Sequence, residues 1–150
     1  MNQNQDILWK YYDQEIQQGI NHETSRSYIT NLILLITVVF ITIITYDDDI
    51  NHNDLPLAIF LIIIGVFGVI CNAKYYERFN FHYSRATGYR KLLEDEYPDV
   101  DFITSRIDSD LNTLNRFKII NRIRLNWLWM SLNLIISLFG LVLTVKILCN

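Results

Sequence analysis

The chain has 150 residues, of which 51% are hydrophobic and 19% charged, with a net charge of -3 and a mean hydropathy of +0.15. That length allows one domain, and the hydropathy argues against an ordinary soluble globule. The apolar excess sits in three runs, Ile29–Tyr46, Leu55–Ala73 and Trp127–Leu148, and none holds a charged residue before Lys146.

Residues 1–28 are polar and hold Asp6, Asp13, Glu15 and Glu23. A secretory signal would start with a basic region, a short apolar core and a small-residue cleavage site. The chain has none of these, so the segment is expected to remain in the mature protein. Tyr12, Ile16, Gly19 and Glu23 share one side of a helix that feeds the first span, 29–46. About 17–25 mainly apolar residues cross a bilayer as a helix, and all three runs reach that length.

The loop 47–54, "DDDINHND", has four Asp and no Lys or Arg. Asp47, Asp48 and Asp49 could hold a cation weakly, but such a charge run reads first as a solvated loop. Asn53-Asp54 before Pro56 predicts the start of the second span, 55–73. No proline occurs again until Pro98, so one helix is expected to leave the membrane and continue to about Glu96. Beyond the span, Tyr75, Phe79, His82, Ala86, Tyr89 and Leu93 step by four and three, which is a packing seam. A third helix is expected from about Ser105, with Ser105 and Asp108 as a capping box. Ile107, Leu111, Leu114 and Phe117 then lead into the third span, 127–148. Segment 74–126 thus forms a helical hairpin, and the whole reads as one compact unit.

Ten of the 13 Lys and Arg lie between Lys74 and Arg124, and two precede the first span. Basic residues stay on the cytoplasmic side, so 1–28 and 74–126 are expected there, with the acidic loop and the C-terminus outside. Tyr28, Tyr75, Tyr76, Trp127 and Trp129 mark one interface and Tyr46 the other. Cys71 and Cys149 then fall at opposite faces, and they are neither a disulfide nor a metal pair. The expected fold is an all-α membrane protein with three transmembrane helices extended into a cytoplasmic helical bundle.

Charge along the hairpin is layered. Residues 74–91 carry five basic groups against one acid and 116–124 carry four against none, whereas Glu94 to Asp110 hold seven acids and Arg106. Basic groups near the surface attract anionic headgroups. At ~1.5 Å per residue, His22 and His82 lie at similar height, roughly 10–14 Å from the interface. The same layer would hold Glu23, Arg26, Arg78, Arg85 and Arg116. Three readings stay open. A carboxylate, Glu23 or Glu77, pairs with the arginines while His82 fixes helix register. Alternatively His22, Arg26, His82, Arg85 and Arg116 bind an anion or nucleotide through forked donors. Lastly, His22, Glu23 and His82 bind zinc; neither a metal nor a cofactor is adopted as the expectation.

In the third span Asn133, Ser137, Gly140 and Thr144 step by four, three and four. Gly65, Gly68 and Asn72 lie in the second span, and Thr30 and Thr37 in the first. Small residues and hydroxyls line helix contacts in lipid, so the stripe is read as helix packing or as the wall of a pore built by several copies. No span has an ionisable group at mid-depth, against a proton-coupled pump. No GxSxG, Walker loop, HExxH or paired-carboxylate motif is present, so no enzymatic activity is expected.

"HETSRSYITNLIL" (22–34), "DLPLAIFLIIIGVFGV" (54–69), "KYYERFNFHYSRATGYRKLL" (74–93) and "RLNWLWMSLNLIISLFGLVLT" (124–144) resemble a recurring family of small bacterial membrane proteins, mostly without assigned function. The layout of spans and stalk also resembles the SLATT membrane effectors of antiviral defence, which have two spans where this chain has three. That resemblance implies a homo-oligomeric effector of the bacterial inner membrane, permeabilising it in an abortive antiphage response. The implied partners are the lipid bilayer, further copies, and a nucleotide messenger or soluble signalling protein, with no nucleic acid. The alternative is a membrane-anchored scaffold that recruits a soluble partner through Glu94, Asp95, Glu96, Asp99 and Asp101.

Overall fold

The computed structural model describes residues 3–46, 50–96, 102–116 and 124–149. Helices α1 (Gln3–Ile44), α2 (Leu55–Glu96), α3 (Phe102–Arg116) and α4 (Leu125–Cys149) account for nearly all of them. Segments of α1 and α2, together with α4, are long and apolar enough to cross a membrane, which makes the chain an all-helical, multi-pass membrane protein. Asp47, Asp48, Asp49, Pro98, Asp99, Asp101 and Phe117 lie outside the described residues.

Between α1 and α2 a short turn closes on itself. Asn51 Oδ1 accepts from the Asn53 amide at 2.8 Å, and the Asn51 amide donates to Asp54 Oδ2 at 3.0 Å. This reciprocal cap satisfies donors that the first turn of a helix leaves over. Pro56 follows in the first turn of α2, where a missing amide costs nothing. From there α2 runs unbroken for 42 residues, as the absence of a breaker predicts.

The third long helix differs from expectation. Arg124 is not helical, so α3 and α4 are separate elements rather than one rod. The helix also begins at Phe102, which puts Ser105 and Asp108 inside it rather than at a cap. A capping box is worth only about 1 kcal/mol, so local context readily overrides it.

The chain divides into two compact units: Met1–Glu23 with Glu77–Arg124, and Thr24–Tyr76 with Leu125–Asn150. The first gathers the polar ends of α1 and α2 with α3, and the second gathers the apolar segments. One unit was expected because no linker is visible. A change from polar to apolar lining within a continuous helix makes two cores without one.

In the apolar unit the core is Ile33, Ile44, Ala58, Leu61, Ile64, Ile136, Leu143 and Ile147. Buried positions Ala58, Leu61, Gly65, Gly68 and Asn72 step by three and four along α2. Opposite them on α4 lie Asn133, Ser137 and Gly140. A Cβ on Gly65 would stand 2.6 Å from the Ser137 amide nitrogen, and one on Gly140 2.8 Å from that of Ile62. The two backbones therefore touch, which only glycine permits. Leu35, Val38, Ile63, Ile70, Ile135, Val142 and Leu148 point outward, as an apolar sleeve in lipid requires.

Hydroxyls within this unit bond back into their own helices. Thr30, Thr37 and Thr144 donate to the carbonyls of Arg26, Ile33 and Gly140 at 2.8–3.0 Å. In a medium without water that is the cheapest way to carry a hydroxyl.

Candidate functional site

In the polar unit, the facing ends of α1 and α2 run antiparallel, as three pairings show. Gln5 Nε2 donates to Glu96 Oε1 at 2.9 Å, Tyr11 stacks on Tyr89 with centroids 5.7 Å apart, and Glu15 meets His82. The predicted seam appears: His82, Ala86 and Leu93 are buried, and Tyr75, Phe79 and Tyr89 half-buried.

Glu15 lies at the centre, 6% exposed. Its Oε2 stands 2.6 Å from Nδ1 of His82, itself 9% exposed, and its Oε1 stands 3.1 Å from Nη1 of Arg85. Both carboxylate oxygens are engaged, so the buried charge has the partners it requires. The carboxylate accepts from Nδ1, which leaves Nε2 as the second ring nitrogen of His82. His22 stacks on His82 with centroids 5.2 Å apart and ring planes 21° from parallel. The Arg85 guanidinium lies over Phe81 at 5.4 Å, a contact that orients the cation.

Burial holds the His22 imidazole below its ordinary value near 6.5, and the nearby His82 and Arg78 charges push the same way. Two stacked imidazoles resist carrying charge together.

Of the seven residues expected in one layer, the structure brings together His22, Arg78, His82 and Arg85. The carboxylate between His82 and Arg85 is Glu15; Glu23 is half-buried and Glu77 exposed, and each has interactions of its own. Arg26 belongs to the apolar unit, where it donates to Asn126 Oδ1 at 3.4 Å and lies 6.0 Å from the Trp129 ring. Arg116 is exposed on α3. Glu15 stands where an anion between His82 and Arg85 would have to stand. The stacking of His22 on His82 turns ring faces, not nitrogen lone pairs, toward each other, and among the described residues no three His, Cys, Asp or Glu side chains converge as a metal set.

Glu15 was visible only as one of several acids before the first span. Its signal is the step 15, 19, 22, which meets the α2 seam when the two are laid antiparallel: Gly19 lies against Phe79 and His82, and His22 stacks on His82.

The stripe Asn133, Ser137 and Gly140 is buried inside the apolar unit against α2, and Thr144 is half-buried. At the acidic end, Glu94 pairs with Arg90 at 3.4 Å and Glu96 accepts from Gln5, while Asp95 is exposed. On α3, Ile107, Leu111 and Leu114 are exposed along one side. Comparison with protein-family models, curated proteins and solved structures gives no match.

Proposed function

We propose that the protein is a non-enzymatic effector of the bacterial inner membrane. Several copies permeabilise the bilayer when the polar unit receives a signal, as in an abortive response to phage. The N-terminus and the hairpin face the cytoplasm and the C-terminus faces out, following the distribution of Lys and Arg. The observation that carries the reading is the interior of the apolar unit. Thr30, Thr37, Asn72, Asn133 and Ser137 are buried there behind an apolar sleeve. In the packed state Thr30, Thr37, Asn72 and Asn133 bond within the chain, and the lining serves helix contact. The same lining is useful if the helices part and it becomes the wetted side of a conduit. Three helices, two of which touch backbone to backbone, cannot enclose one alone, so it forms between copies. The buried Glu15–His82 pair, with Arg85 at its exposed edge, supports a polar unit with two arrangements, because parting its helices exposes both buried groups together.

Induced expression in bacteria under phage challenge, with membrane potential followed by dye, tests this. Depolarisation that depends on inserted protein is expected. A flat signal with the protein made and inserted ends the reading.

A second reading, a scaffold for a soluble protein partner, draws on exposed Ile107, Leu111 and Leu114 of α3. Glu94 and Glu96 already have partners within the chain, which weakens the acidic residues as its docking surface. Leu111→Glu would abolish partner co-purification under this reading and leave depolarisation unchanged.

A further inference from the structure

Asn72 on α2 and Asn133 on α4 are 1% and 0% exposed, inside the apolar unit. Asn72 Nδ2 donates to Thr30 Oγ1 at 3.2 Å and to the Gly68 carbonyl at 2.9 Å. Asn133 Nδ2 donates to the Trp129 carbonyl at 2.9 Å. These bonds fix both amide orientations, because turning either amide round would set its oxygen against a carbonyl oxygen. Both Oδ1 atoms are then buried acceptors with no protein donor among the described residues.

Both amides lie against the same glycine. Asn133 Oδ1 lies in the space that a Cβ on Gly68 would take, and Asn72 bonds the carbonyl of the same glycine. Gly68 is thus flanked by both side chains, and Thr30 joins α1 to them. Unpaired carbonyls are costly in an apolar medium, so two of them around one glycine call for a common donor.

We propose that this is a binding site for a single water molecule that donates one hydrogen to Asn72 Oδ1 and the other to Asn133 Oδ1. The chemistry selects water. The site presents two acceptors and needs two donors. The spans around it hold no acid to balance a cation, and a hard cation gathers about six oxygens. The side chains are sealed by the chain itself, so neither a lipid headgroup nor a side chain of another copy reaches them. Water with two to four polar partners is the ordinary occupant of such a place. It ties α2 to α4 and, through Asn72 and Thr30, to α1. The inference goes beyond the effector function and holds equally for a protein that only anchors.

Solid-state NMR of the full-length, isotopically labelled protein in lipid bilayers tests it, with transfer of water magnetisation as the probe. The side-chain amides of Asn72 and Asn133 are expected to receive water signal several-fold faster than the methyls of Ile33, which lies against the same Gly68, and of Ile136. Asn133→Leu, close in shape, is expected to remove the signal at Asn72, and Asn72→Leu that at Asn133. Amides as dry as Ile136 in the wild type overturn the proposal, as does an Asn72 signal that survives in Asn133→Leu. If neither variant inserts, the wild-type spectrum decides alone.

Discussion

Glu15 and His82 stand 2.6 Å apart between the antiparallel ends of α1 and α2, each less than a tenth exposed, with Arg85 on the other carboxylate oxygen. The pair couples two helices at one register, since a slip by a turn would leave a buried carboxylate without a donor. Its partners are unequal, because Arg85 is 48% exposed and His82 is not.

Substitution should reveal that inequality. Glu15→Ala leaves the His82 donor buried without its acceptor, which costs about 1–3 kcal/mol. Arg85→Ala removes a pair open to solvent and costs below about 1 kcal/mol. Denaturant unfolding of the purified protein in detergent measures both. Equal losses would show that the buried hydrogen bond does not dominate.

Acid should loosen the same cluster through His22. Its folded pKa is below the ordinary value, so the unfolded chain binds the proton more readily than the folded one. Stability is therefore full above about pH 6.5 and falls as pH drops from there through the lowered folded value. Thermal unfolding at neutral pH and in mild acid reads the trend. His22→Phe keeps the stack and should flatten that part of the profile. An unchanged acid slope in the variant would assign the titration to another group.

The glycines should sort by what faces them. Gly65→Ala and Gly140→Ala drive a methyl into backbone atoms of the opposite helix at 2.6–2.8 Å and should cost roughly 1–3 kcal/mol. Gly88 has nothing within 4 Å of a Cβ and lies inside α2. Gly88→Ala should therefore stabilise by about 0.5–1 kcal/mol. The melting temperatures of the three variants give the order. A loss at Gly88 would mean that this side of α2 is covered by something other than solvent.

The α2 seam was legible in the sequence because steps of four and three continue from Tyr75 to Leu93 without a gap. The stripe on the third span was legible for the same reason. The α1 phase was harder to read. Choosing Tyr12, Ile16, Gly19 and Glu23 over Glu15, Gly19 and His22 turns the helix by only about 60°, and an acid in a polar segment reads as solvated until its partner is known. The break before α4 left no mark, since neither glycine nor proline occurs between Pro98 and Gly140. The split of the polar layer was not legible either: similar height along two helices does not say that Arg26 lines the apolar unit with Trp129.

The most direct test concerns the three crossings themselves. Cysteine is placed singly at Asn51 or Lys91, both exposed, in a chain whose own Cys71 and Cys149 are replaced by alanine, and an impermeant maleimide is added to intact cells. Asn51→Cys should react from outside, and Lys91→Cys only once the membrane is opened. Labelling of both positions from the same side would contradict the crossing of α2, and the polar unit would lose its place as a cytoplasmic receiver.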